Sequence, residues 1–237
     1  MRFDAVVPTG WVLESEDDFD APELDRGRWL PHHLPQWSSA ARSAARYELA
    51  GSCLRLRIDA DQPPWCPEFD GTTRVSSVQT GVYAGPVGSA IGQHRFAPDV
   101  VVREPQVTRR LFTPRYGAFV MRARAELDDE SIAALWMIGF EDEPHRSAEI
   151  CICEIFGSDV TTDTARIGMG VHPFGDPQLV DDFAKVEVAV DVRDFHEYAA
   201  VWEPGRVTFH LDGMLVRTVN QAPDYPMQFM LGLYDFS

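Results

Sequence analysis

Strict alternation of apolar and polar side chains recurs along this chain and constrains its fold more than any other feature. Leu54-Arg55-Leu56-Arg57-Ile58-Asp59 alternates residue by residue, as a half-buried strand requires. Lys185 to Val192 places four valines on one face, and Phe119, Met121, Ala123, Ala125 and Leu127 alternate with their neighbours. Val207, Phe209 and Leu211 form a further stripe; Asp212-Gly213 then marks a tight hairpin turn before Leu215, Arg217 and Val219. The apolar runs Ala133 to Phe140 and Phe229 to Tyr234 read as strands buried on both faces. Helical signals are weak: Ser38 to Ala50 is alanine-rich without an apolar stripe, and Asp176 to Ala184 has room for a short helix at most. Gly and Pro, 17 of each, punctuate the chain throughout and form no linker. The expectation is one all-β domain over residues 1–237, a two-sheet sandwich or a barrel.

Charge narrows the partners. Lys and Arg total 21 against 37 Asp and Glu, a net charge of −16. Such a surface repels phosphate backbones and anionic lipid, so neither nucleic acid nor membrane is expected as a partner. Met1 to Pro8 lacks an apolar stretch of leader length, which reads as cytoplasmic as written; a chain stripped of a leader for secretion reads the same. Cys53, Cys66, Cys151 and Cys153 form no C-x-x-C pair and are expected as reduced thiols. Oligomeric state is not legible.

Two long loops interrupt the strand pattern. Ala60 to Gly71 is proline-rich and carries Trp65; Gly81 to Phe96 is glycine-rich and ends on Gln93-His94-Arg95. Trp37, Trp65, His94 and Arg95 are therefore candidates to line a binding cleft. Glu141-Asp142-Glu143 reads as a solvated turn.

Chemistry concentrates in Ser147-Ala148-Glu149-Ile150-Cys151-Ile152-Cys153-Glu154-Ile155-Phe156-Gly157. Two carboxylates stand five residues apart in an apolar run, where an ionised carboxylate costs several kcal/mol unless paired or opened to water. In a regular strand they point to opposite faces, each free to form its own salt bridge. One extra residue in a β-bulge puts them on one face. Two carboxyl groups about 5–5.5 Å apart on one face suit a retaining glycosidase. The spacing alone leaves both arrangements open.

This segment resembles the active-site strand of glycoside hydrolase family 16, with its E-x-D-x-x-E pattern. Tyr116-Gly117-Ala118-Phe119, Ala134-Leu135-Trp136-Met137 and Gly170-Val171-His172 are similar to neighbouring family strands. Phe195-His196-Glu197-Tyr198, Trp202 and Phe209-His210-Leu211-Asp212-Gly213 continue the series in order; Phe19-Asp20 and Trp29 are suggestive only. The resemblance implies a concanavalin A-like jelly roll. It also implies an endo-acting, retaining hydrolase of β-1,3 or mixed-linkage glucan, with a polysaccharide or oligosaccharide as partner.

Carried over by position, Glu149 is the nucleophile and Glu154 the general acid and base. The family's aspartate falls on Cys151, which removes a negative charge beside Glu149. This substitution is expected to leave the Glu149 pKa lower than in the usual arrangement. It also keeps a second reading open, a catalytically impaired, lectin-like carbohydrate-binding protein on the same fold. Trp136 and His172 join Trp37, Trp65, His94 and Arg95 as candidate substrate contacts, while His196 and Trp202 read as structural. The resemblance implies a structural calcium held by backbone carbonyls and one aspartate. The sequence contains no Asp-rich calcium loop, and no other cofactor is expected. The family adds a strand after the segment matching Met227 to Tyr234, so either an N-terminal segment fills that edge or the sequence is truncated and leaves an exposed edge strand.

Overall fold

The computed structural model describes residues 6–237; Met1 to Ala5, part of the stretch read for a leader, lie outside the described residues. The strands in chain order are β1 (Arg46–Leu49), β2 (Leu54–Arg57), β3 (Arg74–Gln79), β4 (Gly81–Val82), β5 (Arg109–Arg110), β6 (Gly117–Ala123) and β7 (Ser131–Gly139). They continue with β8 (Glu149–Val160), β9 (Ala165–His172), β10 (Asp182–Val188), β11 (His196–Glu203), β12 (Arg206–Leu211), β13 (Met214–Val219) and β14 (Met227–Asp235). The all-β expectation holds. Ser38 to Ala50 forms turns and then β1, and Asp176 to Ala184 runs through turns into β10, so neither is helical. Helix is confined to a turn of 3₁₀ at Pro35–Trp37 and one α turn, α1, at Pro67–Asp70.

Two antiparallel sheets carry the architecture, one ordered β10-β9-β8-β7-β14-β3 and the other β13-β12-β11-β6. Their facing sides bury the main core, including Met137, Ile150, Ile152, Ile167 and Met169 from the first sheet and Tyr198, Trp202, Val207 and Phe209 from the second. Trp202 Nε1 donates to the Pro223 carbonyl at 3.0 Å, and His196 bonds Asp212 and the Asp191 carbonyl, both structural roles as expected. The hairpin at Asp212-Gly213 joins β12 to β13 as its sequence signal requires.

The edge beyond β14 is filled from the N-terminal side. β3 pairs with it from Met230↔Gln79 to Asp235↔Arg74, closed by an Arg74–Asp235 ion pair. Of the two arrangements expected at this edge, the filled one is observed.

A second core lies on the outer face of the large sheet. Leu34, Trp37, Trp65, Cys66, Val100 and Val102 pack there against Val75, Trp136, Ile138 and Met230. The two long loops are thus a roof over part of the sheet, and this overturns two expectations. Trp37 is 0% and Trp65 2% exposed, and their indole N–H groups donate to the Gln93 carbonyl and the Asp70 carboxylate. Both tryptophans are interior packing and offer no face to a sugar.

Candidate active site

The site forms where β8 departs from regular pairing. Cys151 lies opposite Trp136 while Cys153 lies opposite Leu135, so Ile152 is the extra residue of a bulge. Ile152 and Cys153 both turn into the inter-sheet core, which two successive apolar side chains can do without leaving a polar group buried. The alternation then resumes shifted by one. Glu149, Cys151 and Glu154 consequently share the outer face, opposite Ile138, Trp136 and Ala134 on β7. On β9 their neighbours are His172, Gly170 and Gly168.

Small residues on both sides leave room around Glu154. Ala134 and Gly168 flank it, and a Cβ on Gly168 would lie 2.4 Å from the Phe183 ring and 3.2 Å from the Glu154 Cβ. The ligating atoms of Glu149, Cys151 and Glu154 all lie within 4.8 Å of one another. The Cys151 thiol donates to Glu149 Oε1 at 2.8 Å. Among the described residues this is the one group of three or more such side chains close enough to share an ion. A buried neutral thiol between two carboxylates does not fit calcium, which takes six to eight oxygen ligands.

Electrostatics at the pair are set by burial. Glu149 is 5% exposed, and desolvation pushes its carboxyl up to about 8; the Cys151 thiol opposes this rise and the Glu154 charge adds to it. Burial also raises Glu154, partly opposed by the Cys151 thiol and by the neighbouring His172 and Lys185 side chains. Glu149 thus sits above the usual carboxylate range. The Cys151 thiol is raised well above its ordinary value by burial and by both carboxylates, so it is a neutral donor. Two raised carboxyls this close titrate as a pair that retains a proton near neutrality.

Other candidates fall into three positions. His172 is brought in: it pairs with Glu149 across β8–β9, bonds Asp181 through Nδ1 at 2.5 Å, and stacks on Phe183 with centroids 4.8 Å apart. Trp136 is also brought in but covered, being 6% exposed, with Nε1 donating to Tyr234 and the His94 ring edge-on 5.0 Å away. His94 places Nδ1 4.0 Å from Glu149 Oε2. Arg95 does not join the group; its exposed guanidinium turns back to the Val100 and Pro98 carbonyls of its own loop.

Sequence reasoning missed what holds His94. Gln93 is fully buried, accepts from the Tyr83 N–H, donates to Gln228, and offers its carbonyl to Gln36 and Trp37. The His94 N–H then donates to Glu141 Oε1 at 2.5 Å. Glu141 is therefore no solvated turn residue, and burial pushes its carboxyl up to about 8, partly opposed by that N–H. Its folded form binds a proton more tightly than the unfolded chain. This contribution is complete below about pH 4 and is lost as pH rises through about 8. Glu141→Gln keeps an acceptor for His94 and removes the titration. Its melting temperature relative to wild type is expected to climb between pH 5 and pH 9; a flat difference across that range would contradict the burial argument.

Neither of two cavities elsewhere, of about 280 and 290 Å³, includes the carboxylates. Glu149 lies instead on the sheet face, bordered by His94 and His172.

Comparison with known proteins agrees with this geometry. The sequence profile of glycosyl hydrolases family 16 matches residues 107–235, which include both glutamates and the bulge. A GlcNAcα1-4Gal-releasing endo-β-galactosidase from Clostridium perfringens superposes with a TM-score of 0.83 at 28% identity, over 97% of this chain and 58% of that one. This chain thus spans little more than half of that enzyme's length. The catalytic domain of a Thermotoga petrophila endo-1,3-β-glucanase (laminarinase) gives a TM-score of 0.61 at 16% identity, over 95% and 87% of the two chains. A non-specific endo-β-1,3(4)-glucanase, SCLam, gives 0.65 at 16% identity, over 97% and 86%. No curated protein matches the sequence. The jelly roll, the bulged strand and a profile match spanning more than half of the residues together place this chain in glycosyl hydrolases family 16.

Proposed function

We propose that this protein hydrolyses internal β-glycosidic bonds of a polysaccharide or oligosaccharide, with retention of anomeric configuration. The supporting observation is the single face shared by Glu149 and Glu154, with carboxylate oxygens within 4.8 Å of one another. Glu149 attacks the anomeric carbon and displaces the leaving sugar, whose oxygen takes the Glu154 proton. Water then attacks the glycosyl–Glu149 ester, giving its proton to Glu154 as Glu149 departs. In the free site deeper burial favours the proton on Glu149. Attack requires it on Glu154, and Cys151 lies between the two as a neutral donor.

For substrate, β-1,3 or mixed-linkage glucan is the class implied by the sequence resemblance. The 28% identity to an endo-β-galactosidase supports a β-galactoside as well, whereas the glucanases at 16% speak to the fold alone. Incubation with laminarin, lichenan and β-galactoside-containing glycans is expected to release short oligosaccharides from one class. No product from any of them would overturn the reading.

Two observations favour a second reading, a lectin-like binder. Cys151 replaces the family's aspartate, and His94 stands over the nearly buried Glu149. That reading requires binding of the same glycans without turnover.

A further inference from the structure

We propose that the ring of Phe174 is a stacking platform for a pyranose of the bound glycan. The inference rests on the carbohydrate-active reading of the site and adds a residue that this reading does not use. Phe174 is 56% exposed, two residues beyond the end of β9. Its ring meets His94 edge-on at 5.0 Å and 78°, and His172 at 5.9 Å and 57°. Both histidines border the nucleophile, His94 through its 4.0 Å approach to Glu149 and His172 as the strand partner of Glu149.

The backbone is committed to this placement. Phe174 has φ +44°, a left-handed conformation that a bulky residue adopts only at a cost in backbone strain. His94 (φ +48°) and Glu141 (φ +54°) share that conformation and are joined by the His94 N–H to Glu141 bond. Three loops from different parts of the chain thus converge here in strained conformations, and the outermost ring is left largely in water. A single exposed aromatic needs no explanation. This one packs against two rings of the site and still keeps more than half of its surface in water, where a ligand can reach it. Trp136, the aromatic that the sequence offers for stacking, is covered by His94 and hydrogen-bonded to Tyr234.

The matching ligand surface is the C–H face of a pyranose, whose slightly positive hydrogens suit the negative face of an aromatic ring. Galactose gathers its C3, C4 and C5 hydrogens on one side, while glucose divides its axial hydrogens between two. Both offer the same chemistry to Phe174, and the probes separate them.

The test measures binding in Glu149→Gln protein, in which turnover is stopped, by calorimetric titration of laminarihexaose and of a β-linked galacto-oligosaccharide. Adding Phe174→Ala is expected to weaken Kd about tenfold for the sugar that stacks. Phe174→Leu, apolar but without a ring, is expected to do the same, and Phe174→Trp to stay within about threefold of the parent. Thermal melting of each variant checks folding. An unchanged Kd in Phe174→Ala, a loss that Phe174→Trp does not restore, or no binding of either sugar by the parent overturns the platform. The hydrolase reading fails separately: Phe174-dependent binding without turnover by wild type removes hydrolysis and keeps the platform. Turnover that needs Glu149 but is indifferent to Phe174 does the reverse.

Discussion

Glu149→Gln is expected to lower kcat on the cleaved glycan by about a thousandfold or more, with a much smaller change in KM. With Glu149 as the proposed nucleophile, its removal closes the covalent route, and a loss of about 4 kcal/mol in barrier stabilisation corresponds to that factor at ~1.36 kcal/mol per tenfold. The substitution is nearly isosteric and keeps an acceptor for the Cys151 thiol, so folding is preserved. Glu154→Gln is expected to behave differently. It removes the proton donor, so polysaccharide cleavage slows strongly, while an aryl glycoside with an acidic leaving group is largely spared in the first step. Equal rates for wild type and Glu149→Gln would remove Glu149 from the chemistry.

The second large effect falls on stability. Gly139 closes β7, and its N–H donates to the Ala148 carbonyl at 2.9 Å, just before Glu149. A Cβ at this position would lie 1.8 Å from the Arg146 carbonyl oxygen, a backbone atom with no rotamer by which to retreat. Gly139→Ala must therefore push the Arg146–Ala148 segment away from β7. It is expected to destabilise by about 3 kcal/mol, read as a lowered urea midpoint. Because β8 starts from that segment, kcat should fall at temperatures where the variant remains folded. A change within about 0.5 kcal/mol, the range of an ordinary surface substitution, would contradict the close approach.

The sequence made the strand-rich half legible because each strand there has a polar and an apolar side, and two-residue periodicity reports that directly. β12, β13 and their hairpin follow from Val207 to Val219 with little ambiguity. The bulge was legible as one of two alternatives. Glu149 and Glu154 at odd separation demand either opposite faces or an extra residue, and only the pairing of Cys151 and Cys153 with adjacent β7 residues decides it.

The N-terminal region was poorly legible for a physical reason. Its core is supplied by loops, and Leu34, Trp37, Trp65 and Val100 bury one at a time with no period to detect. An isolated loop tryptophan looks the same in sequence whether it faces a sugar or a core. Glu141 was misread because Asp142 and Glu143, its neighbours, are exposed while its own partner is the His94 N–H, 47 residues away. The Gln93–Gln228 bond spans 135 residues of sequence and likewise leaves no local mark. A lone phenylalanine after a strand has the same sequence signature whether it packs inward or, as Phe174 does, faces solvent.

The bulge in β8 brings two carboxyl groups onto one face, and the double displacement proposed for them retains the anomeric configuration. The most direct test follows the first seconds of hydrolysis by proton NMR and records the anomeric configuration of the new reducing end before it equilibrates. The β-anomer is expected first. Initial release of the α-anomer would contradict it, because inversion requires the wider carboxylate spacing that admits a water between the sugar and its base.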